Sequence, residues 1–289
     1  MKKSLLINAG LLVAIIVLGL VAWYKPSGNE PSHPLSALKA AEVKAIALTI
    51  GAAPPFVLER TDSDWQMTAP LKARVDAFQV QRLLELLDAK SNTRFAATGL
   101  ARYGLSEPYA RIKIGSQDFS FGAANEMSRE QYVQSGDAVY LLPLRYGAAL
   151  PKSAFNLVSK QLFAADEAPV SFDLGTFTVE QFDTKWTLQM AAAGAAKSEA
   201  GPDDINRWVD QWRLASALGI QAPTQRKPLA VLNVRLKNGK AVAVKILERG
   251  ANTALARDDE PFEYVMAAET ATRLLAPPAA APAAPPPTK

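Results

Sequence analysis

Apolar residues recur in the first half of the chain with two different spacings. One group has the three-to-four-residue spacing of an amphipathic helix: Val80, Leu83, Leu84 and Leu87. Asp76 precedes this group as the expected N-cap, and Gln79 stands in the capping-box position. Elsewhere apolar and polar residues alternate, which predicts strands over residues 44–50, 56–60, 65–68, 111–114, 119–121, 132–134 and 139–142.

The second half repeats this order of patterns. Its helical group is Ile205, Trp208, Val209 and Trp212. Pro202, Asp203 and Asp204 open that helix, and a short helix is expected near residues 270–275. Alternation predicts strands over residues 170–174, 176–181, 186–189, 231–236, 241–247 and 264–266.

The two halves correspond at particular residues. Trp65 and Trp186 each lie on the strand before the long helix, and Asp76 and Asp203 are the expected equivalent helix caps. We interpret this as an internal duplication. The predicted fold class is α+β, with two similar units of antiparallel sheet and a packed helix over residues 43–165 and 166–275.

The N-terminus has the pattern of a transmembrane helix. Lys2 and Lys3 precede the apolar residues 5–24, which are long enough to span the hydrocarbon core of a bilayer. Trp23 and Tyr24 stand where an interfacial aromatic belt is expected. The sequence therefore predicts an uncleaved anchor over residues 1–25.

The basic N-terminus favours an inner-membrane, single-pass topology with a cytoplasmic N-terminus and a periplasmic body. A signal peptide cleaved after Ala22 is the alternative, although Leu20 is a poor residue for the cleavage site. Residues 26–42 are predicted to form a linker, since their first part is polar and rich in proline. Residues 276–289 are almost entirely Ala and Pro, which predicts a disordered tail.

Composition excludes several classes of protein. The chain has 289 residues, and its 32 basic residues exceed its 28 acidic ones only slightly and without clustering, which argues against a nucleic-acid footprint. The absence of cysteine excludes disulfides, thiolate nucleophiles, thiolate metal sites and a lipid-acylated N-terminus. Hydrophobic residues at 49% and charged residues at 21% are typical of a folded globular body.

Three short stretches resemble the bacterial family DUF4340, a domain of unknown function. They are WQMTAPLKARVD at residues 65–76, YGLSEP at residues 103–108, and VYL at residues 139–141. The resemblance covers residues 44–165, with Gly104 expected to terminate a helix. It implies a single-pass envelope protein with protein partners that include components of ABC-type transport systems, and it assigns no catalytic residue.

Side chains suited to catalysis are few. His33 is the only histidine and lies in the predicted linker, which argues against a Ser-His-Asp triad or a zinc site. Gly99, Gly104 and Gly115 lack the spacing of a phosphate-binding loop. The sequence therefore assigns no catalytic, cofactor-binding or metal-binding residue.

Acidic residues cluster at three places, Asp62 with Asp64, Asp203 with Asp204, and Asp258-Asp259-Glu260. The first two are expected in a turn and at a helix start, where Asp bonds to nearby backbone groups. The third is less well explained by local structure, and a calcium site there stays open. Trp208 and Trp212 are expected in the core, with a partner-binding ridge or a sugar-stacking platform as the alternative.

These observations predict a non-catalytic, membrane-anchored periplasmic protein that acts as an interaction or accessory component of an envelope or transport complex. The first alternative is a periplasmic binding module for a glycan, peptidoglycan or a lipid, with its ligand between the two halves. The second is a hydrolase that uses carboxylates alone.

Overall fold

The computed structural model describes residues 11–12, 14–20, 32–62, 64–125, 127–191 and 200–279. This part of the chain is mostly β, with few helices, and its strands form antiparallel sheets of two, nine and eight strands. The predicted α+β class with antiparallel sheets is therefore confirmed.

The first half contains the two-stranded and the nine-stranded sheet. Short 3-10 helices add to it at Ala40–Glu42, Glu85–Asp88, Leu100–Tyr103 and Ala154–Asn156. Its helices and strands are β1 (His33–Pro34), β2 (Ala45–Ile50), β3 (Phe56–Thr61), β4 (Asp64–Ala69), β5 (Ala73–Arg74), α1 (Ala77–Leu84), β6 (Lys90–Ser91), β7 (Arg94–Ala96), β8 (Ala110–Ile114), β9 (Gln117–Asn125), β10 (Glu130–Ser135), β11 (Ala138–Pro143) and α2 (Arg145–Ala148).

The second half contains the eight-stranded sheet. Its helices and strands are β12 (Pro169–Asp173), β13 (Phe177–Phe182), β14 (Lys185–Met190), α3 (Pro202–Arg213), β15 (Gly219–Gln221), β16 (Ala230–Leu236), β17 (Ala241–Arg249), β18 (Asn252–Arg257), β19 (Glu263–Ala267) and α4 (Ala268–Leu275). The alternation in the sequence reveals every strand here except β15 and β18.

The two large sheets have the same strand order. The first runs β5-β4-β3-β2-β8-β9-β10-β11-β7, and the second runs β14-β13-β12-β16-β17-β18-β19-β15. In both, three corresponding strands, β2–β4 and β12–β14, precede the long helix. The next strand of the same sheet after the helix, β7 or β15, lies at the far edge. Among the described residues, the first sheet has one additional strand, β5, which pairs with β4.

Helix α1 has the predicted cap, Asp76, and packs as predicted. The Asp76 amide donates to the Leu157 carbonyl, whereas the expected capping box would pair it with the Gln79 side chain. The Asp76 side chain accepts a hydrogen bond of 2.9 Å from the Phe78 amide, which satisfies an amide at the free end of the helix. The predicted apolar stripe of Val80, Leu83, Leu84 and Leu87 is buried in the core.

Helix α3 packs as predicted but begins differently. The predicted cap Asp203 is wrong, since Gly201 is the N-cap and Asp203 lies in the first turn. The Asp204 carboxylate accepts a hydrogen bond of 3.0 Å from the Gly201 amide, because a carboxylate three residues into a helix reaches back to the cap.

The two tryptophans of α3 lie in the core, as predicted. Trp208 is 4% exposed and Trp212 is 0% exposed. Their indole N–H groups donate to the carbonyl oxygens of Ala276 at 2.8 Å and Leu274 at 3.1 Å. The same helix therefore fills the core and holds the end of α4.

Gly104 ends the 3-10 helix Leu100–Tyr103, in agreement with its expected role as a helix terminator. Its φ of 66° lies in the left-handed region, which favours glycine. A Cβ atom there would stand 2.9 Å from the backbone nitrogen of Ala123, so the position is closed to larger residues.

Part of the sequence assigned to the linker packs against the first half. His33 and Pro34 of β1 pair with Ser91 and Lys90 of β6, and Leu35 is buried. The Leu35 amide also donates to the Ala89 carbonyl at 2.9 Å. Pairing with β6 satisfies backbone groups that a linker would leave to water.

The predicted anchor over residues 1–25 lies largely outside the described residues. Residues 11, 12 and 14–20 are helical, and the large apolar side chains among them are exposed. Within the described ranges, no helix is both long and apolar enough to cross a membrane. Most of the predicted tail, residues 280–289, also lies outside those ranges.

Candidate functional site

Backbone pairing joins the two halves through residues 157–162. The amide of Asp76 donates to the Leu157 carbonyl at 2.8 Å, and the amide of Ala217 donates to the Lys160 carbonyl at 2.8 Å. One end of this segment thus pairs with the first half and the other with the second. The buried side chains of both sheets belong to one contiguous core.

Beside this segment lies a group of charged and polar side chains that we term the junction cluster. It consists of Arg74, Glu167, Lys240, Arg257, Asp259, Glu260 and Tyr264. Five of them are separated from Arg74 by more than 150 positions in the sequence. The fold, not local sequence, therefore brings the cluster together.

Arg257, the last residue of β18, is the centre of the junction cluster, and its side chain is only 1% exposed. Its guanidinium donates to both oxygens of Glu167, at 2.6 and 2.7 Å, and to both oxygens of Asp259, at 2.9 and 2.8 Å. It also donates to the Leu162 carbonyl at 2.7 Å. Bidentate pairing of this kind fixes geometry as well as charge.

Arg74 links the first half to the same cluster. Its guanidinium donates to Glu260 at 3.0 Å, to the Tyr264 hydroxyl at 2.9 Å and to the Gln161 carbonyl at 3.0 Å. The Tyr264 hydroxyl in turn donates to Glu260. A side chain on β5 thereby binds both the second sheet and the connecting segment.

The charges in the cluster shift one another's pKa values. The hydrogen bond from Arg257 outweighs the effect of burial and holds the pKa of Asp259 well below its usual range. Burial alone would raise the pKa of Glu167, but the hydrogen bonds from Arg257 and the Ala164 amide lower it. Burial, together with the charge of Glu260, raises the pKa of Tyr264. Glu167 and Asp259 are therefore ionised, and the phenol of Tyr264 is neutral, at neutral pH.

This arrangement explains the acidic run that the sequence left open. Asp258 accepts a hydrogen bond of 3.0 Å from the Ala243 amide, and Asp259 and Glu260 are bound by arginines. Carboxylates already bound by guanidinium groups offer few free oxygens to calcium. The described residues contain no group of three or more His, Cys, Asp or Glu side chains that could hold a metal ion.

The other sequence candidates lie apart from the cluster and have local roles. Asp62 and Asp64 border the turn between β3 and β4, and Asp62 has a positive φ of 54°. Asp203 and Asp204 lie in the first turn of α3. His33 lies in β1, opposite Ser91 of β6. The structure does not bring these side chains together into a site.

A second buried carboxylate was also missed by sequence reasoning. Glu263 is 0% exposed and accepts hydrogen bonds from the Thr224 hydroxyl at 2.7 Å and the Gln221 amide at 2.8 Å. Burial would raise its pKa, but these bonds lower it. Glu263 thus holds the segment that follows β15, and only its position within an apolar strand could have indicated burial.

The surface of the second half carries a groove between α3 and α4. Its volume is about 520 Å³. Leu214, Ala215 and Leu274 line it, together with the side chains of Arg207 and Arg273. Leu214, which belongs to this lining, is 76% exposed, and Leu218, four residues further along the chain, is 59% exposed. Exposed leucines beside a concave apolar surface are typical of an interaction site.

The chain matches the model of a known protein family. The family described as Domain of unknown function (DUF4340) matches residues 65–233, more than half of the chain. No curated protein and no solved structure matches the chain. The match begins at Trp65 and continues into the second half as far as β16, beyond the region 44–165 that carried the resemblance in the sequence. The chain belongs to the DUF4340 family.

Proposed function

We propose that this chain is a non-catalytic accessory component of an envelope or transport complex, held at the inner membrane by its N-terminal segment and acting by binding protein partners. The junction cluster supports a non-catalytic role, because its charged groups bind one another and hold the two halves together. Such pairing leaves them poorly placed to exchange protons with a substrate.

The groove between α3 and α4 is the observation that carries the proposal. Leu214, which lines the groove, is largely exposed, and so is Leu218, four residues further along the chain. Apolar side chains left in water carry a free-energy cost that burial against a partner would remove. An apolar helix of an inner-membrane partner would cover both leucines and fill the groove. Arg207 and Arg273 at the groove form exposed ion pairs with Asp204 and Glu269, and acidic residues of that helix would compete for them.

Capture of partners from solubilised membranes tests this role. We expect Leu214→Ser combined with Leu218→Ser to reduce recovery of specific partners at least ~10-fold, because about 1.4 kcal/mol of lost apolar burial corresponds to that factor. Leu229→Ser is the matched control, since Leu229 is 64% exposed but outside the groove. Equal recovery with both variants would contradict a partner site in the groove.

The membrane placement rests on the apolar residues 5–24 and the lysines before them. A reporter that is active only outside the cytoplasm, fused to the C-terminus, tests this placement. We expect activity with the natural chain, and loss of membrane association when Leu11 and Ile15 are both replaced by Asp. A cytosolic reporter signal would contradict the topology.

The groove also favours a second candidate, a periplasmic binding module for a lipid. A volume of about 520 Å³ lies within the range of small-ligand sites, and an apolar floor beside two arginines suits an acyl chain with an anionic headgroup. Saturable binding of anionic lipid by the chain, lost in the Leu214 and Leu218 variant and unaccompanied by any protein partner, would favour this candidate. Glycan or peptidoglycan binding is tested in the same assay.

A further inference from the structure

The two large sheets differ at one equivalent edge. In the first sheet, β5 pairs with the outer side of β4, through Gln66 with Arg74 and Met67 with Ala73. In the second sheet, β14 corresponds to β4, and no strand among the described residues pairs with its outer side. Within the part of the chain that the structure describes, β14 is therefore an edge strand of six residues, and proteins generally cover such edges.

The backbone of β14 shows which groups are free to pair. The Ala191 amide donates to the Thr176 carbonyl at 3.0 Å, so residue 191 faces β13. Because backbone groups alternate in direction along a strand, Trp186, Leu188 and Met190 direct their amide and carbonyl groups away from β13. The side chains of Trp186 and Leu188 pack against the core, whereas Met190, on the same face of the strand, is 36% exposed.

The sequence of β14 is complementary to itself in antiparallel pairing. If Leu188 faces Leu188 of a second copy, Trp186 faces Met190 and Thr187 faces Gln189. Lys185, the only charged residue of the strand, then faces Ala191, so that no like charges meet. This register uses all three outward-facing residues and covers the exposed side chain of Met190.

We propose that the outer edge of β14 pairs with the same edge of a second copy of this chain, which makes the protein a symmetric dimer with a sheet that continues across both copies. Strand β14 of the second copy then runs antiparallel to β14 of the first, as β5 runs beside β4 in the first sheet. A closed twofold pairing uses up both edges, so the assembly ends at two chains.

Cysteine cross-linking of the full-length chain tests this register, since the natural chain contains no cysteine. Two differently tagged variants, Thr187→Cys and Gln189→Cys, are produced together in the same membrane. In the proposed register these positions form a non-hydrogen-bonded pair with Cα atoms about 4.5 Å apart, within the range for a disulfide. We expect the mixed disulfide to exceed either self-disulfide at least ~10-fold.

Gln66→Cys with Thr68→Cys is the matched control, because these residues take the equivalent places on β4, whose edge β5 covers. Equal cross-linking at both edges, or a chain that is monomeric by light scattering, would overturn the proposal. Amide exchange gives an independent readout. We expect protection of Trp186, Leu188 and Met190 that decreases on dilution, whereas protection in a monomer would show that the chain covers its own edge and would also overturn the dimer.

Discussion

The two large sheets share their strand order and differ mainly in what is attached to it. The first carries an additional strand, β5, which covers one edge and supplies Arg74 to the junction cluster. The second has no such strand among the described residues and supplies Arg257, Asp259 and Glu260 to the cluster. The common framework therefore comes from alternating apolar residues, whereas the differences give each sheet a separate role in joining the halves.

The helices differ in the same way. Helix α1 buries aliphatic residues such as Leu83, whereas α3 buries Trp208 and Trp212 in the corresponding stripe. The tryptophans fill a similar place in the core, but their indole groups also bind the carbonyls at the end of α4. Tryptophan in place of leucine at the same spacing thus adds hydrogen bonds to a neighbouring helix without altering the fold.

The largest effect is expected from breaking the link between the halves. Arg257→Ala should lower the free energy of unfolding by about 3–5 kcal/mol, because it leaves Glu167 and Asp259 without their buried partner. Urea unfolding measures the change. Arg235→Ala, which removes an exposed ion pair with Glu180, is the control and should cost at most about 1 kcal/mol. Equal losses would show that the cluster does not stabilise the fold.

Low pH should cause part of the loss of stability that is expected for Arg257→Ala. Folding lowers the pKa values of Glu167 and Asp259. The contribution of these two carboxylates to stability is therefore complete above their ordinary pKa values of about 4, and it is lost as the pH falls through their pKa values in the folded protein. We expect the urea midpoint to fall from pH 7 to pH 3, with a shallower fall in Arg257→Ala. Parallel curves for the two proteins would rule out titration of the cluster as the cause.

A smaller effect is expected at α3. Trp212→Phe should cost about 1–3 kcal/mol, since it removes the donor to the buried Leu274 carbonyl and part of the ring that fills the core. The thermal midpoint measures this loss. Trp186→Phe is a suitable control because Trp186 is only partly buried. A larger loss for Trp186→Phe than for Trp212→Phe would mean that the hydrogen bond from Trp212 to Leu274 contributes little to stability.

The smallest effect concerns the helix caps. Asp76→Ala should cost about 1 kcal/mol, because the Phe78 amide loses its acceptor. Asp203→Ala should change stability by less than about 0.5 kcal/mol, since Gly201 is the cap of α3. Urea unfolding of both variants distinguishes the two positions. Equal losses of stability would mean that Asp76 and Asp203 are equivalent helix caps, as the sequence predicts.

The elements with regular spacing could be predicted from the sequence, and the others could not. Helices α1 and α3 have clear apolar stripes, and strands such as β8 alternate cleanly between buried and exposed residues. Strand β18 was missed because Thr253, Ala254 and Leu255 are buried in succession, which removes the alternation. Strand β15 has only three residues, too few for a period to be visible.

The junction cluster was beyond sequence reasoning for a different reason. Arg74 and Glu260 are 186 positions apart, and nothing near either residue indicates the other. Glu167 lies between two predicted elements, where an acidic residue is expected to be solvated. The acidic run that includes Asp259 was visible, but its role depends on Arg257 being buried, which only the packing of β18 determines.

The path of the chain ends has a mechanical consequence. β1 is fastened to β6 in the first half, and Trp208 fastens Ala276 in the second. Tension applied between these two points would therefore pass from one half to the other through the shared core, the 157–162 connection and the Arg74–Glu260 pair. In a protein stretched between a bilayer and a distant attachment point, we expect the contacts between the two halves to break before the backbone hydrogen bonds within each sheet.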